Sequence, residues 1–235
     1  MRDPSSPDGS DATDPAIFIL DCDNTLFDND SLKSDLNARL EALLGTSLLQ
    51  QFWSIYEEVR VVTGSVDFPL TCERFRRYLP DERVIEPLLS IIMQYPFADR
   101  LYPESAATLE HLKKIALPAI VSDGDTIYQP VKIRESGLAA AVDWRVLVFI
   151  HKEDHLEDIF ARWPAPFYVM VDDKQRILAD TKARFPERFV TVHVRQGHYG
   201  LASLHLNPPP DLTIDSIGDL RGYLIRDFKC YLSGE

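Results

Sequence analysis

The stretch FILDCDNTLFDND, residues 18–30, decides the fold. An apolar run typical of a buried strand ends in two aspartates, Asp21 and Asp23, with one residue between them. Repulsion between the two carboxylates and their removal from water both oppose this arrangement, so another charge must compensate it. A bound cation is the simplest compensating charge, and the rest of such a site should be found elsewhere in the chain.

The composition is that of an acidic globular protein. The chain has 235 residues, of which 45% are hydrophobic, and this is enough for a large core. Its formal net charge of −12 makes a nucleic-acid backbone or an anionic membrane a poor partner. The three cysteines are too widely spaced to indicate a disulfide framework or a zinc site. We expect no nucleic-acid or membrane partner, and the sequence leaves the oligomeric state open.

The first residues differ in composition from the rest of the chain. Residues 1–15 are rich in Pro, Ser, Gly and Asp and lack the apolar segment of a secretory signal, so we expect a disordered tail. No later stretch approaches the ~20 consecutive apolar residues of a membrane span. The simplest location for the protein is therefore the cytoplasm.

Helical periodicity follows the first strand. Leucines at helical spacing precede Gly45, with Ser31 as the expected N-cap, and a second helix is expected to end at Gly64. Two further helical patterns follow without a strand between them. We therefore predict an inserted four-helix cap domain at residues 31–95 and an α/β core formed by residues 16–30 and 96–235. The aromatic residues of the cap are expected in its core, namely Phe52, Trp53, Tyr56 and Phe75.

Strands alternate with helices after residue 116, which predicts a Rossmann-like α/β fold, a parallel sheet with helices on both faces. Polar residues follow the predicted strands: Ser122, then Lys152, then the pair Asp172 and Asp173. Ligands of such sheets bind beyond the carboxyl ends of the strands. The carboxylates should therefore meet Asp21 there, in a site that suits Mg²⁺ and a phosphate.

Four segments together resemble the motifs of the haloacid dehalogenase-like (HAD) hydrolase superfamily. DCDNTLFD (21–28) resembles the first motif, DxDx(T/V) after an apolar strand, and AIVSDGD (119–125) resembles the second, an apolar strand that ends in Ser or Thr. Lys152 in VFIHKEDH resembles the third, and the acidic pair in VMVDDKQ resembles the fourth. The helical insertion after the first motif is similar to the helical cap of one class of this superfamily. The resemblance covers residues 16 to 225, nearly the whole chain.

The resemblance implies a catalytic role for four residues. Asp21 would be the nucleophile that becomes an aspartyl-phosphate, and Asp23 would be the general acid and then the general base. Ser122 and Lys152 would bind the phosphoryl group, Ser122 as a hydrogen-bond donor and Lys152 as a positive charge. Members that dehalogenate generally lack the second aspartate, so Asp23 favours phosphatase chemistry on a small phosphorylated metabolite.

The resemblance also implies Mg²⁺ as the cofactor. The side chains of Asp21 and Asp173 and the main-chain carbonyl of Asp23 would hold it, with Asp172 as a direct or an indirect partner. Which residue of the acidic pair contacts the metal stays open at this point, as does the identity of the substrate.

Two alternatives use the same residues. A phosphotransferase or phosphomutase of this family would pass the phosphoryl group to a second substrate instead of water. A non-catalytic phosphoester-binding protein could also be built on this fold, because a fold alone does not establish an activity.

Overall fold

The computed structural model describes residues 16–64, 66–202 and 204–233. The expected tail at residues 1–15 lies outside these ranges. None of the helices in the described ranges is long and apolar enough to cross a membrane.

The described residues form six strands and ten α-helices. The strands are β1 (Ile17–Leu20), β2 (Leu117–Asp123), β3 (Val146–Phe149), β4 (Tyr168–Asp172), β5 (Phe189–Val194) and β6 (Leu212–Ile214). The first five helices are α1 (Asn29–Thr63), α2 (Phe68–Phe75), α3 (Ile85–Met93), α4 (Ser105–Ile115) and α5 (Tyr128–Glu135). The remaining helices are α6 (Leu138–Ala141), α7 (Leu156–Arg162), α8 (Gln175–Arg184), α9 (Gly197–Gly200) and α10 (Ile225–Ser233).

All strand pairs of the described sheet are parallel, in the order β3-β2-β1-β4-β5-β6. The first strand is thus central, and Leu20 at its end is paired with Ile120 on one side and with Val171 on the other. The predicted parallel α/β fold is confirmed.

Helices cover both faces of the sheet because the central strand is apolar on both. Phe18 and Leu20 belong to one buried cluster, together with residues of α1 to α5 and of α10. Ile17 and Ile19 point the other way, into a second cluster with residues of α7 and α8. An apolar strand without alternation is what a strand covered on both faces requires.

The segment between β1 and β2 is helical, as predicted for a cap, although its first helix differs in detail from the expectation. Helix α1 begins at Asn29, because Asp28 and not Ser31 is the N-cap: its carboxylate accepts from the Ser31 N–H at 2.9 Å. Gly45 interrupts α1 with a φ of 72°, a left-handed value that favours glycine. Gly64 ends α1 with a φ of 78°, as expected. The domain boundaries at residues 31 and 95 stay a prediction.

Candidate active site

The register of the sheet brings the predicted residues to one edge. Asp21 directly follows Leu20, and its N–H donates to the carbonyl of Val171 at 2.9 Å, so Asp21 lies beside the end of β4. Asp172 is the last residue of that strand, and Ser122 lies near the end of β2 on the other side. Parallel strands end at the same edge, and for that reason residues distant in sequence become neighbours here.

Lys152 joins two of these carboxylates. It lies in a short 3₁₀ turn after β3, held there because its N–H donates to Oδ1 of Asp123 at 2.9 Å. Its ammonium contacts Oδ1 of Asp21 and lies 2.6 Å from Oδ2 of Asp172. Burial alone would lower the pKa of Lys152, but the charges of Asp172 and Asp21 raise it well above its ordinary value. Lys152 is therefore a permanent positive charge in the site.

The acidic pair divides into two roles. Asp172 is occupied by protein groups, because its Oδ1 accepts from the Lys174 N–H at 2.8 Å and its Oδ2 contacts Lys152. Both oxygens of Asp173 and Oδ2 of Asp21 are buried with neither a hydrogen bond nor an ion pair within the described ranges, whereas Oδ2 of Asp172, which also lacks a hydrogen bond of good geometry, is in contact with the Lys152 ammonium. One carboxylate oxygen from each of these three aspartates lies within 4.8 Å of the others. Asp173 and Asp21 are thus the carboxylates free to bind a cation.

The free carboxylates have perturbed acidities. Burial, opposed by Lys152 and reinforced by Asp172, raises the pKa of Asp21 from 3.8 to about 7. Burial and the charges of Asp172 and Asp21 raise the pKa of Asp173 to about 9. Without a cation these two groups therefore tend to hold protons near neutral pH.

The loop after β1 carries Asp23 to a cavity. Asn24 has a φ of 60°, and its side-chain oxygen accepts from the N–H groups of Asn29 and Asp30 at the start of α1. Gly197 packs directly on this turn: a Cβ there would lie 2.3 Å from Asn24. The turn thus fixes both the start of α1 and the position of Asp23.

Ser122 has a partner that we did not predict. Its Oγ accepts a hydrogen bond of 2.8 Å from Nε2 of Gln129, a buried residue of α5. Its own proton is directed only at the carbonyl of Asp123, at a long 3.4 Å, so a better-placed oxygen can accept it instead. Gln129 therefore orients the hydroxyl group.

Lys132, also on α5, is a second residue that the sequence analysis missed. Its Nζ lies 2.5 Å from Oδ1 of Asp23, and the side chain is buried. The signal available in the sequence was the i,i+3 spacing of Gln129 and Lys132 on the helix that follows β2, which places both on one face. Each aspartate of DCD thus has its own buried lysine, Lys152 for Asp21 and Lys132 for Asp23.

A cavity of about 1090 Å³ opens in front of these groups. Asp23, Asp173 and Lys132 line it from the sheet side, while Asp21, Ser122 and Lys152 are buried behind its lining. The helical segment forms the opposite wall, with contributions from Trp53, Tyr56 and Phe68.

The four cap aromatics pack in or against the core as expected, but two of them also face the cavity. Phe52 and Phe75 are fully buried in the core, where their rings pack 5.3 Å apart. Trp53 and Tyr56 are partly buried: both pack against this core, and both also line the cavity. Both kinds of position recur at helical spacing, so periodicity alone could not separate them.

Comparisons with known proteins identify the family of the chain. A family model described as haloacid dehalogenase-like hydrolase matches residues 15–174. No curated protein sequence matches the chain. A crystal structure of a haloacid dehalogenase-like hydrolase from Burkholderia xenovorans is 40% identical, with a TM-score of 0.80 over 89% of this chain and 99% of that one.

More distant structures share the fold. A haloacid dehalogenase-like hydrolase from Xanthomonas campestris has 15% identity and a TM-score of 0.65, over 96% of each chain. The L-2-haloacid dehalogenase of Xanthobacter autotrophicus has 20% identity and a TM-score of 0.57, over 88% of this chain and 97% of that one. The resemblance found in the four motifs is confirmed, and the chain belongs to the haloacid dehalogenase-like hydrolase family.

Proposed function

We propose that the protein is a Mg²⁺-dependent phosphatase that hydrolyses a small phosphorylated metabolite through an aspartyl-phosphate on Asp21. One observation carries the proposal: buried carboxylate oxygens of Asp21 and Asp173 lack partners, while Asp23 lies on the wall of the adjoining cavity. Buried charges are normally paired or bind a metal, so the unpartnered oxygens support a cation site. The aspartate on the wall supports proton transfer to a substrate in the cavity.

The donor set suits Mg²⁺, which prefers oxygen ligands and few carboxylates. The side chains of Asp21 and Asp173 and the main-chain carbonyl of Asp23 would hold the ion. Asp172 would act indirectly, because Lys152 and the Lys174 N–H already occupy its oxygens. The bound ion supplies positive charge that neutralises the oxygens of the transferring phosphoryl group.

The two aspartates of DCD would divide the reaction into two displacements. The carboxylate of Asp21 attacks phosphorus, a bond from Asp21 to phosphorus forms, and the bond from phosphorus to the alcohol oxygen breaks. Asp23 gives its proton to that departing oxygen. Asp23 then takes a proton from water, whose oxygen attacks phosphorus and breaks the bond to Asp21, releasing phosphate.

Two further residues would bind the phosphoryl group. Ser122, oriented by Gln129, would turn its hydroxyl proton from the long contact with the Asp123 carbonyl to a phosphoryl oxygen. The ammonium of Lys152 offsets negative charge on Asp21 and on the phosphate. Both groups are in place before substrate binds, so little reorganisation accompanies the reaction.

The metal-free protein is expected to lose stability as the pH rises from 6 to 9. The pKa values of Asp21 and Asp173 are raised on folding, to about 7 and about 9. An acid whose pKa is 3.8 in the unfolded protein and higher in the folded protein keeps its proton longer when the protein is folded. Its contribution to stability is complete below pH 3.8 and is lost as the pH rises through the pKa of the folded protein. We expect the free energy of unfolding to decrease by at least about 1.4 kcal/mol, which is the energy equivalent of one pKa unit.

Thermal unfolding with chelator at the two pH values measures this effect, and saturating Mg²⁺ should largely remove it. The Asp173→Asn variant is the control, because it is similar in size and cannot ionise; it should show a smaller pH dependence without metal. An equal pH dependence in both proteins would contradict the assignment of Asp173.

The proposed activity is tested by phosphate release from a panel of phosphorylated metabolites and p-nitrophenyl phosphate, with Mg²⁺ and with chelator. We expect metal-dependent release from some of these esters. Halide release from a 2-haloacid is measured in parallel, because some family relatives are dehalogenases. Halide release without phosphate release would reject the proposal. Transfer of the phosphoryl group to a second substrate would favour a phosphotransferase, and binding without turnover a non-catalytic protein.

A further inference from the structure

A buried ammonium lies on the alcohol side of the candidate active site. Lys132 is 2% exposed, and its nearest carboxylate is that of Asp23. Asp23 is the residue that would protonate the departing oxygen, so the alcohol half of a bound substrate must lie beside it. Lys132 lines the same cavity. The charge of Lys132 is therefore placed to act on the alcohol, whereas Lys152 acts on the phosphoryl group.

The ammonium of Lys132 has more N–H donors than there are acceptors around it in the described part of the chain. An ammonium has three N–H donors. One contacts Oδ1 of Asp23 at 2.5 Å, and a second reaches Oδ1 of Asn29 only at 3.4 Å. At least one donor thus remains for a ligand. An anionic acceptor suits it best, because hydrogen bonds between charged groups are the strong ones.

The hydroxyl of Tyr128 lies unused in the same region. Tyr128 is one turn before Lys132 on α5, and Nζ of Lys132 is 5.9 Å from the centre of its ring. The side chain is 4% exposed and lines the cavity, and its hydroxyl has no hydrogen-bond partner among the residues that the structure describes. Burial raises the pKa of Tyr128, so this hydroxyl remains a donor. A buried polar group without a partner calls for an explanation.

Aromatic side chains surround these two donors. The ring centre of Phe27 lies 5.3 Å from Nζ of Lys132, and the ring of Phe68 packs 4.7 Å from that of Tyr128. Apolar walls lower the local dielectric constant, and this strengthens a contact between an ammonium and an anion.

We propose that Lys132 and the Tyr128 hydroxyl form a subsite for an anionic group on the alcohol half of the substrate, close to the ester oxygen. The inference rests on the proposed phosphatase function and narrows its substrate class to small esters whose alcohol carries a carboxylate or a second phosphate. The competing explanation is that Lys132 only holds Asp23 in position, in which case the charge of the alcohol would not matter.

A matched pair of esters separates the two explanations. Carboxymethyl phosphate and carbamoylmethyl phosphate have nearly the same shape, but only the first has an anionic alcohol half. We expect wild-type kcat/KM to favour the carboxymethyl ester at least tenfold. Lys132→Met should remove this preference, and Tyr128→Phe should reduce it, mainly by raising KM for the carboxymethyl ester.

The control variant is Lys182→Met, which removes another largely buried lysine from a carboxylate, Asp211, outside the cavity. It should keep the wild-type preference even if it lowers stability. If Lys132→Met does not fold, as judged by thermal unfolding, the Tyr128→Phe variant decides alone.

Three outcomes are informative besides the expected one. Equal use of both esters by the wild type would overturn the subsite while leaving the phosphatase proposal intact. Equal losses for both esters in Lys132→Met would show that Lys132 acts only through Asp23. Release of phosphate from no ester, p-nitrophenyl phosphate included, would reject the proposed function and the subsite with it.

Discussion

Asp21→Asn is expected to abolish both steady-state phosphate release and the first-turnover burst of p-nitrophenol from p-nitrophenyl phosphate. The amide cannot form the bond to phosphorus, so no covalent intermediate arises. We expect a loss of at least about 10³-fold, within the range known for removal of a catalytic nucleophile. Rapid-mixing absorbance measurements in the presence of Mg²⁺ record the burst and the steady state together.

Asp23→Asn is the matched variant in the same experiment. p-Nitrophenolate departs without a proton, so attack by Asp21 should still proceed. Activation of water for the second displacement should slow by about 10²–10⁴-fold, the usual contribution of a general base. A burst of about one p-nitrophenol per protein followed by slow turnover is the expected result. A burst in Asp21→Asn, or its loss in both variants alike, would contradict the division of roles.

Among the substitutions proposed here, Lys152→Met is expected to cause the largest decrease in the free energy of unfolding. The side chain is 1% exposed and contacts both Asp21 and Asp172, so its removal leaves two buried carboxylates without their cation. Breaking a buried ion pair from one side costs about 3–5 kcal/mol. In a chain of this size the melting temperature should fall by roughly 10 °C. Thermal unfolding at pH 8 with chelator measures the loss.

The control is Lys113→Met, which removes a lysine from a more exposed pair with Asp143. Exposed pairs contribute about 1 kcal/mol or less. The loss in Lys152→Met should also shrink at pH 5, because the pKa of Asp21 is raised to about 7 and its protonated carboxyl group no longer needs the ammonium. Equal losses in the two variants at pH 8 would refute the structural role assigned to Lys152.

The sequence predicted the site at the level of strand ends. Strands of apolar residues without alternation must be buried on both faces, which requires a parallel sheet. Parallel strands then bring Asp21, Ser122 and Asp172 to one edge, whatever their separation in the chain. The positions of these residues follow from the pairing of the strands, and apolar sequence patterns predict that pairing.

Side-chain contacts set the limit of that reasoning. The sequence could not separate the roles of Asp172 and Asp173, because these depend on which carboxylate Lys152 reaches. A lysine on a helix usually lies at the surface, so the i,i+3 spacing with Gln129 was not enough by itself to place Lys132 beside Asp23. The N-cap of α1 was also misassigned, because Asp28 and Ser31 are both good capping residues and only the side-chain contact distinguishes them.

The central position of β1 has a consequence for how the protein folds. Its partners are Leu117–Ile120 and Tyr168–Val171, so β1 can pair only with segments that follow it by about 100 and 150 residues in the chain. Contacts of such long range slow folding, because the intervening loop must close before they form. During synthesis on the ribosome, Asp21 and Asp23 therefore emerge early, and their pocket can assemble only after β4 has been made.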